Sequence, residues 1–206
     1  MADSIQPETS EHTEGGRLLL RSGRLGLMRV DETDLPLLWA VTQTPDFGLF
    51  WPPPLPASFA EFSGRYQLVQ GGDLPLEIDV LAYRDRQPFA WLRLTAIDYH
   101  HAKAEFSVYV HHGRGSRLAL LAIAAVLEMG FVRLGLAKIS CCIRADNRAA
   151  QSLAGHFGFM LEGCLRGEIR LDGGRIDLLR YGLFGDAWFA GEVHQRLLPA
   201  LMERTR

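Results

Sequence analysis

Between residues 103 and 144 the chain runs from a strand-like stretch through a glycine turn into its most apolar helix, then out into another strand. This succession constrains the fold more than any other feature of the sequence. A strand, helix, strand crossover lays its two strands parallel, here about 104–110 beside 137–143. The helix, Ser116 to about Leu134, is apolar nearly all round, so other layers must cover it on most sides. It opens with the run Val110-His111-His112-Gly113-Arg114-Gly115-Ser116-Arg117-Leu118. The first four N–H groups of a helix have no partner within it and carry the positive end of its dipole. Gly113 and Gly115 have no Cβ, so the backbone can close on an anion there. Arg114 and Arg117 add fixed positive charge. The turn reads as a grip for a phosphorylated ligand.

The flanking segments supply the remaining layers. Residues 24–30 read as a first strand, and Asp31 or Thr33 caps a helix through Thr42. A proline-rich aromatic loop follows, Pro45 to Pro56, which either walls a pocket or pins itself to the core. A second helix spans about Ser58–Gln70 and ends at Gly71-Gly72. Strands at Leu76–Arg84, Pro88–Ile97 and Lys103–His111, joined by short polar links, form an antiparallel meander. After the crossover, Asp146 or Asn147 starts a short helix to about Phe157. A hairpin, 160–171 and 175–184, turns at Asp172-Gly173-Gly174. Residues 186–203 read as helical. The fold class is α/β (α+β): a mostly antiparallel twisted sheet, one central parallel strand pair, and helices on both faces. The expected divisions are a disordered leader over 1–16, a single domain over 17–188 and a helical extension over 189–206.

Composition excludes several function classes. Twenty-two Lys and Arg against 24 Asp and Glu give a formal net charge of −2, which argues against nucleic-acid binding by bulk charge. The longest apolar run, Leu118–Leu127, falls short of the roughly 20 residues that cross a bilayer. No apolar signal segment opens the sequence, so a cytoplasmic location is expected, with no membrane partner. The three cysteines make neither metal spacing nor a disulfide framework. The pairs His100-His101 and His111-His112 sit at opposite ends of one strand, and ten strand residues span about 33 Å. No metal is expected.

The element order and four local pieces resemble the GNAT acyltransferase superfamily, and within it the RimJ/RimL-like branch. The pieces are Ala104-Glu105-Phe106-Ser107-Val108-Tyr109-Val110; Gly113-Arg114-Gly115 with the helix end Met129-Gly130-Phe131-Val132-Arg133-Leu134-Gly135-Leu136; Asn147 followed by Gly158-Phe159 and Glu162-Gly163; and Asp177 with Tyr181 before Gly185-Asp186-Ala187-Trp188. The resemblance implies acetyl-CoA or another acyl-CoA as co-substrate and an amine acceptor, a small molecule or a peptide. A homodimer is frequent in the family. In this fold the parallel strands splay apart around the CoA. The resemblance then has backbone groups of Tyr109 and Val110 pair with the pantetheine amides, as an added strand would. The stretch His112, Gly113, Arg114, Gly115, Ser116, Arg117 and Leu118 would meet the pyrophosphate. Asn147 would touch the pantetheine arm. The chain departs from the family pattern at four positions. His112 and Arg117 stand at the ends of the pyrophosphate motif, Ala150 in the branch's serine place, and Ala154 in the place of the wider family's tyrosine acid.

Acyl transfer to an amine needs orientation, a proton acceptor and oxyanion stabilisation. Glu105 is the candidate base. Burial in the sheet would make its carboxylate readier to take a proton; the competing reading is a fixed salt bridge. Phe47 and Trp51 in the aromatic loop, with Tyr181 in the last hairpin, are the candidate acceptor contacts. His156, Tyr109 and Tyr181 are conceivable acids, and the spacing selects none of them. The alternatives are a non-catalytic acyl-CoA-binding or partner module on the same fold, or an acyltransferase using a longer acyl-CoA or a carrier-protein donor.

Overall fold

A computed structural model describes residues 17–45, 47, 55–70, 74–171 and 173–202. The leader 1–16, Trp51, most of the proline-rich loop, Gly71-Gly72 and Asp172 lie outside the described residues. Eight strands form one sheet: β1 (Leu18–Ser22), β2 (Leu25–Arg29), β3 (Ile78–Arg84), β4 (Gln87–Asp98), β5 (Lys103–Val110), β6 (Lys138–Arg144), β7 (Met160–Leu171) and β8 (Gly174–Phe184). Their spatial order is β1-β2-β3-β4-β5-β6-β8-β7, and every neighbouring pair is antiparallel except β5 with β6. The expected single parallel pair is therefore present, at the expected place.

Among the described residues, the α-helices around the sheet are α1 (Leu35–Thr42), α2 (Phe59–Gln70), α3 (Arg117–Glu128), α4 (Arg148–His156), α5 (Gly185–Ala190) and α6 (Glu192–Met202). Strand side chains alternate between faces, and the two faces build separate cores. Val80, Ala82, Leu92, Leu94, Phe106 and Ile139 pack with the buried α3. Leu81 and Trp91 face the other way, against Leu35, Leu38 and Val41 of α1 and Phe62 and Tyr66 of α2. Central strands buried on both faces read as continuous apolar runs, which is why β3 and β4 are so legible.

The structure corrects three boundaries. A strand precedes the expected first one: β1 pairs with β2 across a two-residue turn whose first residue, Gly23, has φ +58°. The long apolar helix leaves α-geometry at Glu128 and continues as a π-turn, Met129–Arg133. There Gly130 lies against the sheet so closely that a Cβ would come 2.8 Å from Ile139 Cδ1. The last helix is two helices, broken at Gly191, whose backbone is extended (φ −72°, ψ 146°). Beyond this break α6 docks on the main core through Val193 and Leu197. Trp188 Nε1 donates to Glu128 Oε2 at 2.8 Å on the same side. Among the described residues, no helix is long and apolar enough to cross a membrane.

Candidate active site

β5 and β6 pair only at Lys103–Lys138, Ala104–Ile139 and Glu105–Ser140; past that point they part. A cleft of about 240 Å³ opens between them, lined by Glu105–Tyr109 on β5, Cys141–Arg144 on β6, and Asn147, Ala150, Leu153 and Ala154 around α4. Its open wall is backbone, and hydrogen-bond phase decides which backbone. His111 N donates to Phe89 O at 3.0 Å, and the β4–β5 register continues in step through Ala90–Val110 and Trp91–Tyr109. In an antiparallel pair, bonded and unbonded positions alternate. Odd-numbered residues of β5 therefore bond to β4, and Phe106, Val108 and Val110 turn their N–H and C=O groups toward the cleft. Ala104 O, accepting from Ser140 Oγ on β6 at 3.3 Å, follows the same phase. Tyr109 is thus corrected as a pantetheine-pairing residue: its backbone faces β4. Its side chain is on the opposite face from α3, 4.9 Å edge-on to Phe47, with its hydroxyl 3.1 Å from Thr44 Oγ1. Thr44 Oγ1 already donates to Val41 O, so the Tyr109 hydroxyl is the donor.

At the head of the cleft Gly113 (φ +71°) and Gly115 (φ +72°) both adopt the left-handed region. A side chain at Gly115 would meet nothing within 4 Å, so backbone conformation alone calls for glycine there. Ser116 caps α3, its Oγ accepting from Ala119 N at 3.3 Å. Arg117 and Leu118, in the first turn, have no helical acceptor one turn back. His112, Arg114 and Arg117 are exposed around the turn. Arg114 folds back, donating from Nε to Val110 O at 2.8 Å, with its guanidinium 5.8 Å from the Tyr109 ring. His111 Nε2 lies 2.8 Å from Pro88 O. A carbonyl only accepts, so Nε2 carries the proton and Nδ1 is bare. Burial, with the His112 and Arg114 charges, holds His111 below its ordinary pKa.

Glu105 lies at the cleft's rim. Its side chain is 43% exposed, so the expected burial is not found, and the expected alternative is: Oε1 meets Arg180 Nη1 at 3.4 Å. Phe47 is both core and wall. It is 1% exposed, stacks 6.0 Å from Trp91 and lines the cleft. Asn147 caps α4 through Oδ1, which accepts from Ala150 N at 3.1 Å, and lines the cleft beside it. Tyr181 is not part of the lining; it packs against the core on the α3 face. His156 is exposed away from the cleft. Ala154, in the tyrosine place, lines the cleft with a methyl group.

Sequence reasoning missed two arginines. Arg180 on β8 reaches Glu105 across β6. Arg144 closes the cleft from β6 and is held by Asp146, Nε to Oδ1 at 3.0 Å and Nη2 to Oδ2 at 2.6 Å. Hydrogen bonding from Arg144 keeps the Asp146 carboxyl below its usual range. Only the strand register shows the meeting of Arg180 with Glu105. The thiols in the site are not nucleophiles in waiting. Burial pushes Cys141 up to about 12, with Cys142 and the Glu105 carboxylate adding to it. Cys142 is raised by desolvation first, then by the Glu105 and Glu168 carboxylates. Among the described residues no three His, Cys, Asp or Glu side chains converge as metal ligands.

No curated protein sequence matches the chain. Solved structures do match in fold. Spermidine N-acetyltransferase from Vibrio cholerae, in complex with CoA and spermine, superposes with a TM-score of 0.73 at 24% identity, covering 81% of this chain and 98% of that one. A chimera of that enzyme with hSSAT gives 0.72 at 24% identity, over 82% and 99%. Its dodecameric form in an intermediate state gives 0.70 at 22%, over 81% and 97%. The acetyltransferase (GNAT) domain family matches residues 24–160. That match runs from β2 through the glycine turn and the cleft to the end of α4, and it covers most of the sequence: the chain belongs to the GNAT acetyltransferases.

Proposed function

We propose that the protein moves an acetyl group from acetyl-CoA to a primary amine by direct attack within a ternary complex, and that it belongs to the RimJ/RimL-like branch. The splayed strand pair carries this reading. An open strand edge at Phe106, Val108 and Val110 leads straight into a positive-φ glycine turn at a helix N-terminus. An edge of this kind suits the pantetheine amides. The turn suits the pyrophosphate, with Arg114 released from Val110 O to meet it. Asn147, whose Oδ1 is taken by its cap, offers Nδ2 to the same arm. Structures of this fold that hold CoA and an amine support the pairing of ligands.

Acetyl-CoA brings an already activated thioester. The chain orients the amine, takes a proton from it at Glu105 and polarises the carbonyl with a cleft-facing N–H of Val108 or Val110. The nitrogen–carbon bond forms, the carbon–sulfur bond breaks, one proton goes to the thiolate and one to water. With Ala154 on α4 the thiolate takes its proton from solvent. The raised thiols of Cys141 and Cys142 support direct attack over an acyl-cysteine route.

Isothermal titration of the protein with acetyl-CoA tests the donor site. Micromolar binding is expected. In Gly115→Glu it should fall at least about tenfold, since the variant strains a φ of +72° and sets a carboxylate against the phosphates. No binding by the parent protein would overturn the donor reading.

A further inference from the structure

One ion pair at the rim of the cleft has no part in holding the donor. Glu105 on β5 and Arg180 on β8 meet at 3.4 Å over β6, each 43% exposed. Arg180 Nη2 also reaches Ser140 Oγ at 3.3 Å. That hydroxyl gives its proton to Ala104 O, so it meets Arg180 only as an acceptor. Two long contacts are little for a guanidinium with five N–H donors. On one side it has room, because it stands opposite Gly163 on β7, where a Cβ would meet nothing within 4 Å; toward Gly182 the same face is filled by the Lys138–Glu162 ion pair. The titratable groups around it are Glu105 from β5, Cys142 and Lys138 from β6, and Glu168 and Glu162 from β7; Glu168 acts on the Cys142 thiol, and Glu162 is paired with Lys138 over Gly182.

Charge balance in the cleft gives this arginine a use. Among the described lining residues Glu105 is the sole carboxylate and Arg144 the sole cation. Arg144 is matched by Asp146, and Glu105 by Arg180. Among these lining residues an acceptor with a second ammonium would find no spare carboxylate; Arg180 and Glu168 both stand outside the lining. An acceptor with a carboxylate would find a half-exposed guanidinium beside the base that must deprotonate its amine.

We propose that Arg180 selects the acceptor by binding a carboxylate, which makes amino carboxylates, rather than polyamines, the acceptor class. The proposal rests on Glu105 as the base. A bidentate Arg–carboxylate pair is stronger than the long contact that Glu105 now makes. When the acceptor's carboxylate takes Arg180, Glu105 loses its counter-ion and becomes the better proton acceptor for the neighbouring ammonium. Acceptor binding and release of the base are then one event.

The test measures acetyl transfer from acetyl-CoA by the full chain to phenylalanine, phenylalaninamide, phenethylamine and spermidine. The aromatic ring of the first three suits a cleft walled by Phe47, Phe106 and Tyr109. Phenylalanine should be preferred over its amide by about tenfold or more in kcat/KM. Arg180→Gln should raise KM for phenylalanine by about tenfold or more and leave that for the amide within about twofold. Arg180→Lys should recover part of the loss. Preference for spermidine, equal use of phenylalanine and its amide, an equal loss on both in Arg180→Gln, or transfer to none of the four would overturn the proposal. Titration with acetyl-CoA separates the two failures. Loss of donor binding sinks the function itself, and intact donor binding with any of these outcomes sinks only the role of Arg180.

Discussion

The two faces of the sheet are built by different means. Under α3 and α4 the face is apolar from Leu25 to Leu183, and the groove beside it, the proposed donor site, is made of backbone: an open strand edge, two left-handed glycines and a helix start. Under α1 and α2 the face is aromatic and ionic. Asp79 is 2% exposed and accepts from Trp91 Nε1 at 2.7 Å and Arg93 Nε at 2.6 Å. Arg93 Nη2 also reaches Glu77 Oε2 at 2.7 Å. Trp91 stacks on Phe47, which lines the cleft. Backbone geometry tolerates many side chains, so one donor can be held by many sequences. Side-chain networks do not, so the proposed acceptor half depends on particular side chains in a way the proposed donor groove does not.

Removing the buried carboxylate breaks the comparison most severely. Asp79→Ala leaves the Trp91 indole N–H without its acceptor and takes one of two carboxylates from Arg93. Breaking a buried pair from one side costs about 3–5 kcal/mol. Urea denaturation should show a loss of about 3 kcal/mol, with acetyl-CoA affinity unchanged in the molecules that remain folded. A loss below about 1 kcal/mol would mean that the ionic network is not what holds the floor under Phe47.

Glu105→Gln sharpens the division between the halves. General-base catalysis typically contributes 10²–10⁴-fold, so kcat should fall by about a hundredfold. The proposed donor groove uses backbone groups of Phe106, Val108 and Val110, not the Glu105 side chain, so acetyl-CoA affinity should stay within about twofold by calorimetry. An unchanged kcat would hand the proton to water. Equal losses in kcat and donor binding would mean that the two halves are one site.

The crossover around the cleft was legible because it is local. Residues 103–144 carry their own strand, turn, helix and strand signals in a row, and the structure keeps them in that order. Where local signals ran out, the reading did too. β1 was missed because Leu18-Leu19-Leu20 has no alternation to mark an outer strand, and half of its pairing signal is the single Gly23. The break at Gly191 was hidden inside an amphipathic run, and only its close approach to the Ala187 and Trp188 carbonyls of the preceding turn singles it out. Tyr109 was assigned the wrong backbone role because bonding phase is set by β4, through Phe89 and His111. Glu105 was found from a local pattern, whereas Arg180 required the register of three strands, which no window of sequence contains.

The smallest expected effect lies at the turn and probes how far side chains intrude on the backbone half. Burial chiefly, then the His112 and Arg114 charges, lowers the pKa of His111 in the folded protein, against the Pro88 hydrogen bond. In the unfolded chain the imidazole titrates near its ordinary value of 6.5. Below 6.5 the unfolded state therefore binds more protons than the folded one, and stability falls with pH. The contribution is whole above pH 6.5 and is lost as pH drops toward the lowered folded value. His111→Gln keeps a donor for Pro88 O and removes the titration. Melting curves between about pH 7.5 and 5.5 should show the parent losing more than the variant, by about 2 °C or less for a half-exposed ring. Parallel curves would mean that His111 takes up its proton in place, and that the turn is already arranged for an imidazolium beside the phosphates.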